Sequence, residues 1–205
     1  MPGPAVNDLL QQPGDMLASI KNRRSAGKLN AQRPPAREQI ELLLEACTWA
    51  PNHKLTNPWR FIIIAGDARK AMGEMYRRLV IEDAQEDSAE TRMRADAAAK
   101  KPIRAPVTIM VVCETEDPPR RRKEDYAACG AGIQNMLLLA QSMGLATKWN
   151  TGAVVDDPRF KQYFGLAPTA EVVGLIHVGY ADGPLPSAPP RKAAPELTRW
   201  QGWPD

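Results

Sequence analysis

The 205-residue sequence predicts an α+β fold in which helices surround a small sheet. Apolar residues recur at i, i+3, i+4 and i+7 in Ile40, Leu43, Leu44 and Cys47, the stripe of a helix with one buried face. Trp59–Ala65, Val107–Cys113 and Glu171–Gly179 have the β-branched and apolar density of buried strands. Helical and strand signals interleave along the chain, but only three or four strands are visible, so the sheet is small.

Residues 1–14, rich in Pro and Gly, read as a loose lead-in. Asp15 is placed to cap a helix whose apolar positions Leu17 and Ile20 precede Arg23-Arg24. The helix carrying Ile40 to Cys47 ends at Pro51, and Trp59–Ala65 follows as a strand. Gly66-Asp67 then turns into a helix with Met72, Met75, Tyr76 and Leu79 on one side. Gln85–Lys101 is charged and helical by propensity, the composition of a solvated helix or a lid.

Beyond Val107–Cys113, Tyr126–Met143 is the strongest helix signal, with Ile133, Met136, Leu137 and Ala140 on one face and Gly144 as its stop. Ala127, Ala128, Gly130, Ala131 and Gly132 crowd its first turns, so a backbone or a flat ligand packs closely there. Five prolines between Pro184 and Pro195 exclude regular helix or central strand, leaving residues 184–205 as an extended arm. Residues 15–183 form a single domain.

Composition excludes several classes. Hydrophobic residues at 43% and charged residues at 25% are ordinary globular usage, so the chain is neither disordered nor fibrous. A net charge of +3 is too small to make nucleic acid the expected partner. The Arg120-Arg121-Arg122-Lys123 cluster reads as a solvated loop after Pro118-Pro119. No apolar run approaches the roughly 20 residues of a membrane span, and the N-terminus lacks the features of a signal peptide. Cys47, Cys113 and Cys129 form no Cys-x-x-Cys pair, and their odd number fits reduced thiols in a cytoplasm. The two histidines lie too far apart for zinc spacing, and no metal site is expected.

Nucleotide loops, nucleophile elbows and metalloprotease motifs are all missing, and Gly130-Ala-Gly-Ile-Gln-Asn135 lacks the strand–turn–helix context of a dinucleotide fingerprint. Three segments instead place polar or aromatic residues at element ends. Asn22-Arg23-Arg24-Ser25 offers two guanidiniums and a hydroxyl, donors suited to a phosphate or to a helix C-terminus. Ala50-Pro-Asn-His53-Lys-Leu-Thr-Asn-Pro-Trp59-Arg60-Phe61 is a loop into a strand, with Trp49 and Trp59 flanking it. In Gly144–Gly152 a helix stops; Trp149 there can supply a flat wall, Asn150 and Thr151 hydrogen bonds.

Taken in order, these three segments and Val-Val-Gly-Leu-Ile-His-Val-Gly-Tyr180 resemble the nitroreductase family of flavoproteins, over about Ile20 to Tyr180. The His-Lys form of the second segment is similar to the minimal, short-chain subgroup. The resemblance implies a mostly antiparallel sheet surrounded by helices, and a homodimer holding FMN at the subunit interface. It also implies hydride from NADPH or NADH passed to nitroaromatics, quinones or similar small-molecule acceptors, in alternation at one site. Carried over by position, Arg23, Arg24 and Ser25 contact the FMN phosphate and ribityl chain, while Trp49 and His53 reach the flavin from the partner subunit. Trp149, Asn150 and Thr151 form the third contact, and Leu139–Gly144 matches a nicotinamide-nucleotide stretch. Arg191 or Lys192, with Arg191 the candidate, would reach the phosphate from the arm.

This chain departs from the subgroup in having Trp49 where Arg is usual and Asn150-Thr151 where Arg-Ser is usual, both of which remove positive charge near the flavin. No catalytic side chain is expected, because the flavin carries the redox chemistry. The alternatives are a specialised flavoenzyme of the same fold, a dehalogenase or a flavin-consuming enzyme, or a non-catalytic flavin- or nucleic-acid-binding protein.

Overall fold

The computed structural model describes residues 16–114 and 119–202. Four strands, β1 (Trp59–Ala65), β2 (Val107–Cys113), β3 (Ala146–Asn150) and β4 (Glu171–Gly179), form one antiparallel sheet in the order β1-β2-β4-β3. The helices are α1 (Met16–Asn22), α2 (Arg37–Thr48), α3 (Ala68–Glu82), α4 (Ala89–Ala99), α5 (Pro119–Ser142) and α6 (Pro158–Tyr163). β1, β2 and β4 begin and end at the residues expected from sequence. β3 adds a fourth strand directly after the Gly144 stop, which adopts φ +70°. Asp15, the expected cap of α1, lies outside the described residues, as do residues 1–14 of the lead-in and 203–205 of the arm.

Strand alternation divides the core into two layers. Ile109, Val111, Val173, Ile176 and Val178 face α2 and α5, whereas Ile64, Met110, Val112, Val172 and Leu175 face α3, α4 and α6. β2, the strand between β1 and β4, is buried at all seven positions, which is why its sequence is apolar but for Thr108. Two glycines set helix spacing. A Cβ at Gly132 of α5 would lie 2.7 Å from the carbonyl oxygen of Cys47 in α2, and one at Gly73 of α3 would lie 2.4 Å from that of Ala99. The crowding of small residues in α5 is therefore met, at Gly132, by the backbone of α2.

One expectation is corrected. α5 begins at Pro119, seven residues before Tyr126, so Arg120–Lys123 form its first turns rather than a loop, with Arg120 and Arg121 paired to Glu124. Proline at the first helical position costs no hydrogen bond, and the charged residues after it are good helix formers. The charged stretch before β2 forms the expected helix: α4 is mostly exposed and packs Thr91, Ala95 and Ala98 inward against α3. Leu17 and Ile20 of α1 are exposed, and the helix buries no residue.

Candidate functional site

A cavity of about 1300 Å³ opens on the α3 side of the sheet, between the Ala26–Gln32 loop, α3 and the residues that follow β3. Backbone pairing makes its outer wall. Ser25 bridges Thr147 in parallel, the Ala26 N–H donates to Thr147 O at 2.8 Å, and the Asn30 N–H donates to Tyr180 O at 2.9 Å. These bonds clip the chain after α1 along the free edge of β3. They leave Arg23 and Arg24 beside that edge and the following loop over the cavity. Arg33 stacks 3.7 Å above the Tyr180 ring and steadies the end of the loop.

The rim is exposed and cationic. Lys28, Lys101, Arg104 and Lys148 line it with Asn150 and Thr151. The carboxylates at the cavity are already partnered: Asp182 with Lys28, and Asp83 and Asp157 with Arg159. Among the described residues no ion pair takes up Lys101, Arg104 or Lys148. A second concentration of charge lies on the chain that enters this rim. Partial burial, with Arg24 and Arg191 nearby, holds the Arg23 guanidinium below its usual pKa. Arg191, on the arm, therefore joins the pair after α1. Arg24 donates to the carbonyls of Lys21 and Arg23 at 2.6 and 2.7 Å, which fixes its guanidinium over the C-terminal end of α1.

The structure thus brings Arg23, Arg24 and Arg191 together, and sets Ser25, Asn150 and Thr151 along one strand edge. Trp149 points elsewhere. It pairs with Ile176 on the α2/α5 face, and its Nε1 donates to Val173 O at 3.2 Å. The register shift in β4 and the missing side chain of Gly174 make room for the indole, since a Cβ there would come within 2.1 Å of Nε1. In the single chain Trp149 lies on the face away from the cavity and stays 37% exposed.

Trp49 and His53 are also away from the cavity, at the end of the sheet where α5 begins. Trp49 is 79% exposed. His53 Nδ1 lies 2.7 Å from Glu124 Oε2, and this bond, with Arg120 and Arg121 close by, keeps the Glu124 carboxyl below the usual range. In the same loop, Thr56 donates at 2.6 Å to Asp125, a carboxylate only 1% exposed. Lys54, Leu55 and Asn57 all have positive φ (58°, 51° and 48°), a strained arrangement that the first turns of α5 hold in place.

Lys28, Lys101, Arg104 and His177 at the cavity were not singled out from sequence. The signal for Lys101 and Arg104 was a pair of cations just ahead of β2; His177 reads as one more position of an apolar strand. Among the described residues no group of three or more His, Cys, Asp or Glu is placed to hold a metal ion. The three cysteines are free and buried, and burial pushes the Cys47 thiol up to about 12.

The nitroreductase family model matches residues 20–180, and the chain belongs to that family. It is 33% identical over 168 residues to YdjA of Escherichia coli strain K12, provisionally named an NAD(P)H nitroreductase, covering 80% of this chain and 87% of that protein. It is 30% identical over 164 residues to YfhC of Bacillus subtilis strain 168, which carries the same provisional description, covering 80% of this chain and 82% of YfhC. The fold matches a nitroreductase-like protein from Bacillus cereus with TM-score 0.79 and 27% identity, over 95% of this chain and all of that one. It also matches a nitroreductase with bound FMN from Bacteroides fragilis, with TM-score 0.67 and 25% identity over 88% and 96% of the two chains.

Proposed function

We propose that the protein is an FMN-dependent NAD(P)H oxidoreductase of nitroreductase type, acting as a homodimer on small-molecule acceptors such as nitroaromatics or quinones. The observation that carries this reading is the convergence of Arg23, Arg24 and Arg191, without a partner carboxylate among the described residues, beside a cavity whose rim holds unpaired cations. Like charges gathered at one place destabilise a chain unless an anion offsets them.

This donor set fits FMN. The three guanidiniums and the Ser25 hydroxyl suit its phosphate, and Asn150 and Thr151 at the end of β3 offer hydrogen bonds to a polar heterocycle. Lys101, Arg104 and Lys148 add a positive field at the rim that favours negative charge on a bound ring. When bound, FMN would supply the redox chemistry, taking hydride from NADPH or NADH and passing electrons to the acceptor in alternation. The chain's own residues bind, orient and set the local field. No acid–base dyad or nucleophile is required of them.

The dimer is supported by apolar and small residues left uncovered in one chain. Tyr126, Ala127 and Ala131 lie along the outer side of α5, and Trp49 and Leu55 (77% exposed) stand out from the strained loop. Stable subunit interfaces bury such surface. In this reading Trp49 and His53 serve the partner's cavity, and the exposed arm from residue 184 carries Arg191 to its place. Among the described residues no helix is long and apolar enough to cross a membrane. The cytoplasm is the proposed compartment, supported by three free cysteines.

The test is reconstitution with FMN of the wild type and of Arg24→Ala. Arg24→Ala is expected to weaken FMN retention while the flavin-free protein keeps its thermal transition. Equal FMN affinity in the two proteins would refute the phosphate role.

A further inference from the structure

The cavity is divided in polarity. Its rim is exposed and charged, whereas its inner wall is made by the buried Met72, Tyr76, Leu79, Val155 and Leu175, with Val80 half-buried among them. At about 1300 Å³ the whole is larger than the roughly 300–1000 Å³ of a site for one small molecule. The inner wall is chemically distinct from the cationic rim at which a cofactor is placed.

One polar ring interrupts the floor of that inner part. His177 of β4 stands opposite Thr108 of β2, and Thr108 Oγ1 lies 2.8 Å from His177 Nδ1. Thr108 is 1% exposed, so this bond is dry and fixes the ring. Nε2 is then the remaining polar atom of a ring that lines the cavity. Burial, with Lys148 across the strand, keeps the imidazole uncharged at neutral pH. Tyr76 lines the same wall, and no hydrogen bond engages its hydroxyl among the described residues. The inner wall is therefore apolar, with a fixed imidazole nitrogen as its anchor and Lys148 beside it.

We propose that this inner chamber is a separate binding site for a neutral aromatic molecule bearing one hydrogen-bonding oxygen, anchored by His177 Nε2. The site rests on the FMN reading only for its outer boundary; its walls and anchor belong to the chain. The neutral imidazole, the apolar walls and Lys148 beside them disfavour cationic ligands, which would lose hydration without gaining a counter-ion. The oxygen requirement follows from the cost of covering Nε2 without a partner.

The probes are 2-naphthol and naphthalene, titrated calorimetrically into FMN-loaded protein and, in parallel, into flavin-free protein. We expect one 2-naphthol per chain in both forms, bound about tenfold more tightly than naphthalene, the factor one hydrogen bond contributes. His177→Leu should remove that preference, and His177→Gln should restore part of it. Val80→Trp, or Val154→Trp from the facing wall, should abolish binding of both probes while FMN affinity is unchanged. Absence of saturable 2-naphthol binding would overturn the proposal, as would an unchanged ratio in His177→Leu. Competition between 2-naphthol and FMN would overturn it too, because the chamber would then be the cofactor's own place. If FMN fails to bind, 2-naphthol should still bind the flavin-free protein, so failure of the cofactor reading is told apart from failure of this one.

Discussion

Arg191→Ala changes two energies of opposite sign. In the flavin-free chain Arg191 adds repulsion to Arg23 and Arg24, the source of part of the depressed Arg23 pKa. Two unit charges about 4 Å apart in water interact by about 1 kcal/mol. Arg191 is exposed, so its removal should stabilise the flavin-free protein by at most about 1 kcal/mol. In the proposed function the same guanidinium donates to the phosphate of bound FMN. A hydrogen bond to a charged group contributes about 1.5–3 kcal/mol, so its loss should weaken FMN binding by about 10- to 100-fold. Fluorescence titration gives the dissociation constant, and thermal unfolding with and without FMN gives the two stabilities. The variant should unfold at an equal or higher temperature than wild type without FMN and at a lower one with it. High salt should narrow both differences. Unchanged FMN affinity, or a clear loss of stability without FMN, would show that Arg191 serves the fold and not the phosphate.

Other perturbations test the remaining parts. Gly132→Ala places a methyl 2.5 Å from Cys47 Sγ and 2.7 Å from Cys47 O, too close for α2 to stay where it is. Overpacking of about 1–3 kcal/mol exceeds the helix-propensity gain of about 1 kcal/mol, so urea unfolding should show a net loss and a stabilised variant would contradict the α2–α5 packing. Ala131→Glu, on the exposed side of α5, should leave a single chain folded yet split the dimer in sedimentation, because the charge would be buried at the interface. A dimer that survives would place the interface elsewhere. His177 has its pKa lowered to about 4 from an unfolded value of 6.5, so the unfolded chain binds more protons and stability falls as pH drops from about 6.5 towards 4. Between pH 7 and pH 5 the loss should be about 2 kcal/mol, measured by urea unfolding, and His177→Leu should remove it. An equal slope in that variant would assign the proton uptake to other groups.

Legibility followed the physics of each element. β2 and β4 are bounded to the residue because buried strands admit almost nothing polar. β1, expected to be buried, is an edge strand that buries only Trp59 and Ile64, and Gly66 and Gly144 mark turns that need positive φ. The start of α5 was hidden because Pro119 and a charged run look alike in a helix's first turn and in a loop. Asp125 illustrates a second limit: its burial depends on Thr56, 69 positions earlier, and no local pattern announces that pair. At the site, Arg23, Arg24 and Arg191 are legible as candidate phosphate donors, a role that is proposed, and the structure sets Arg24 and Arg191 near Arg23. Trp149 reads as a flat wall for a ligand; in the single chain its indole rests over Gly174 on the opposite face, still 37% exposed. Lys28, the Lys101/Arg104 pair and Lys148 come from three separate segments that only the folded chain gathers around one rim.

The account rests on a flavin that this chain binds and that a nicotinamide nucleotide reduces. The most direct measurement is the visible absorption spectrum of the protein reconstituted with FMN, mixed anaerobically with NADPH and, separately, with NADH. The account predicts protein-bound flavin bands that bleach with at least one of the two donors and return when a nitroaromatic or a quinone is added. A protein that retains no FMN, or bound bands that neither donor bleaches, would contradict it.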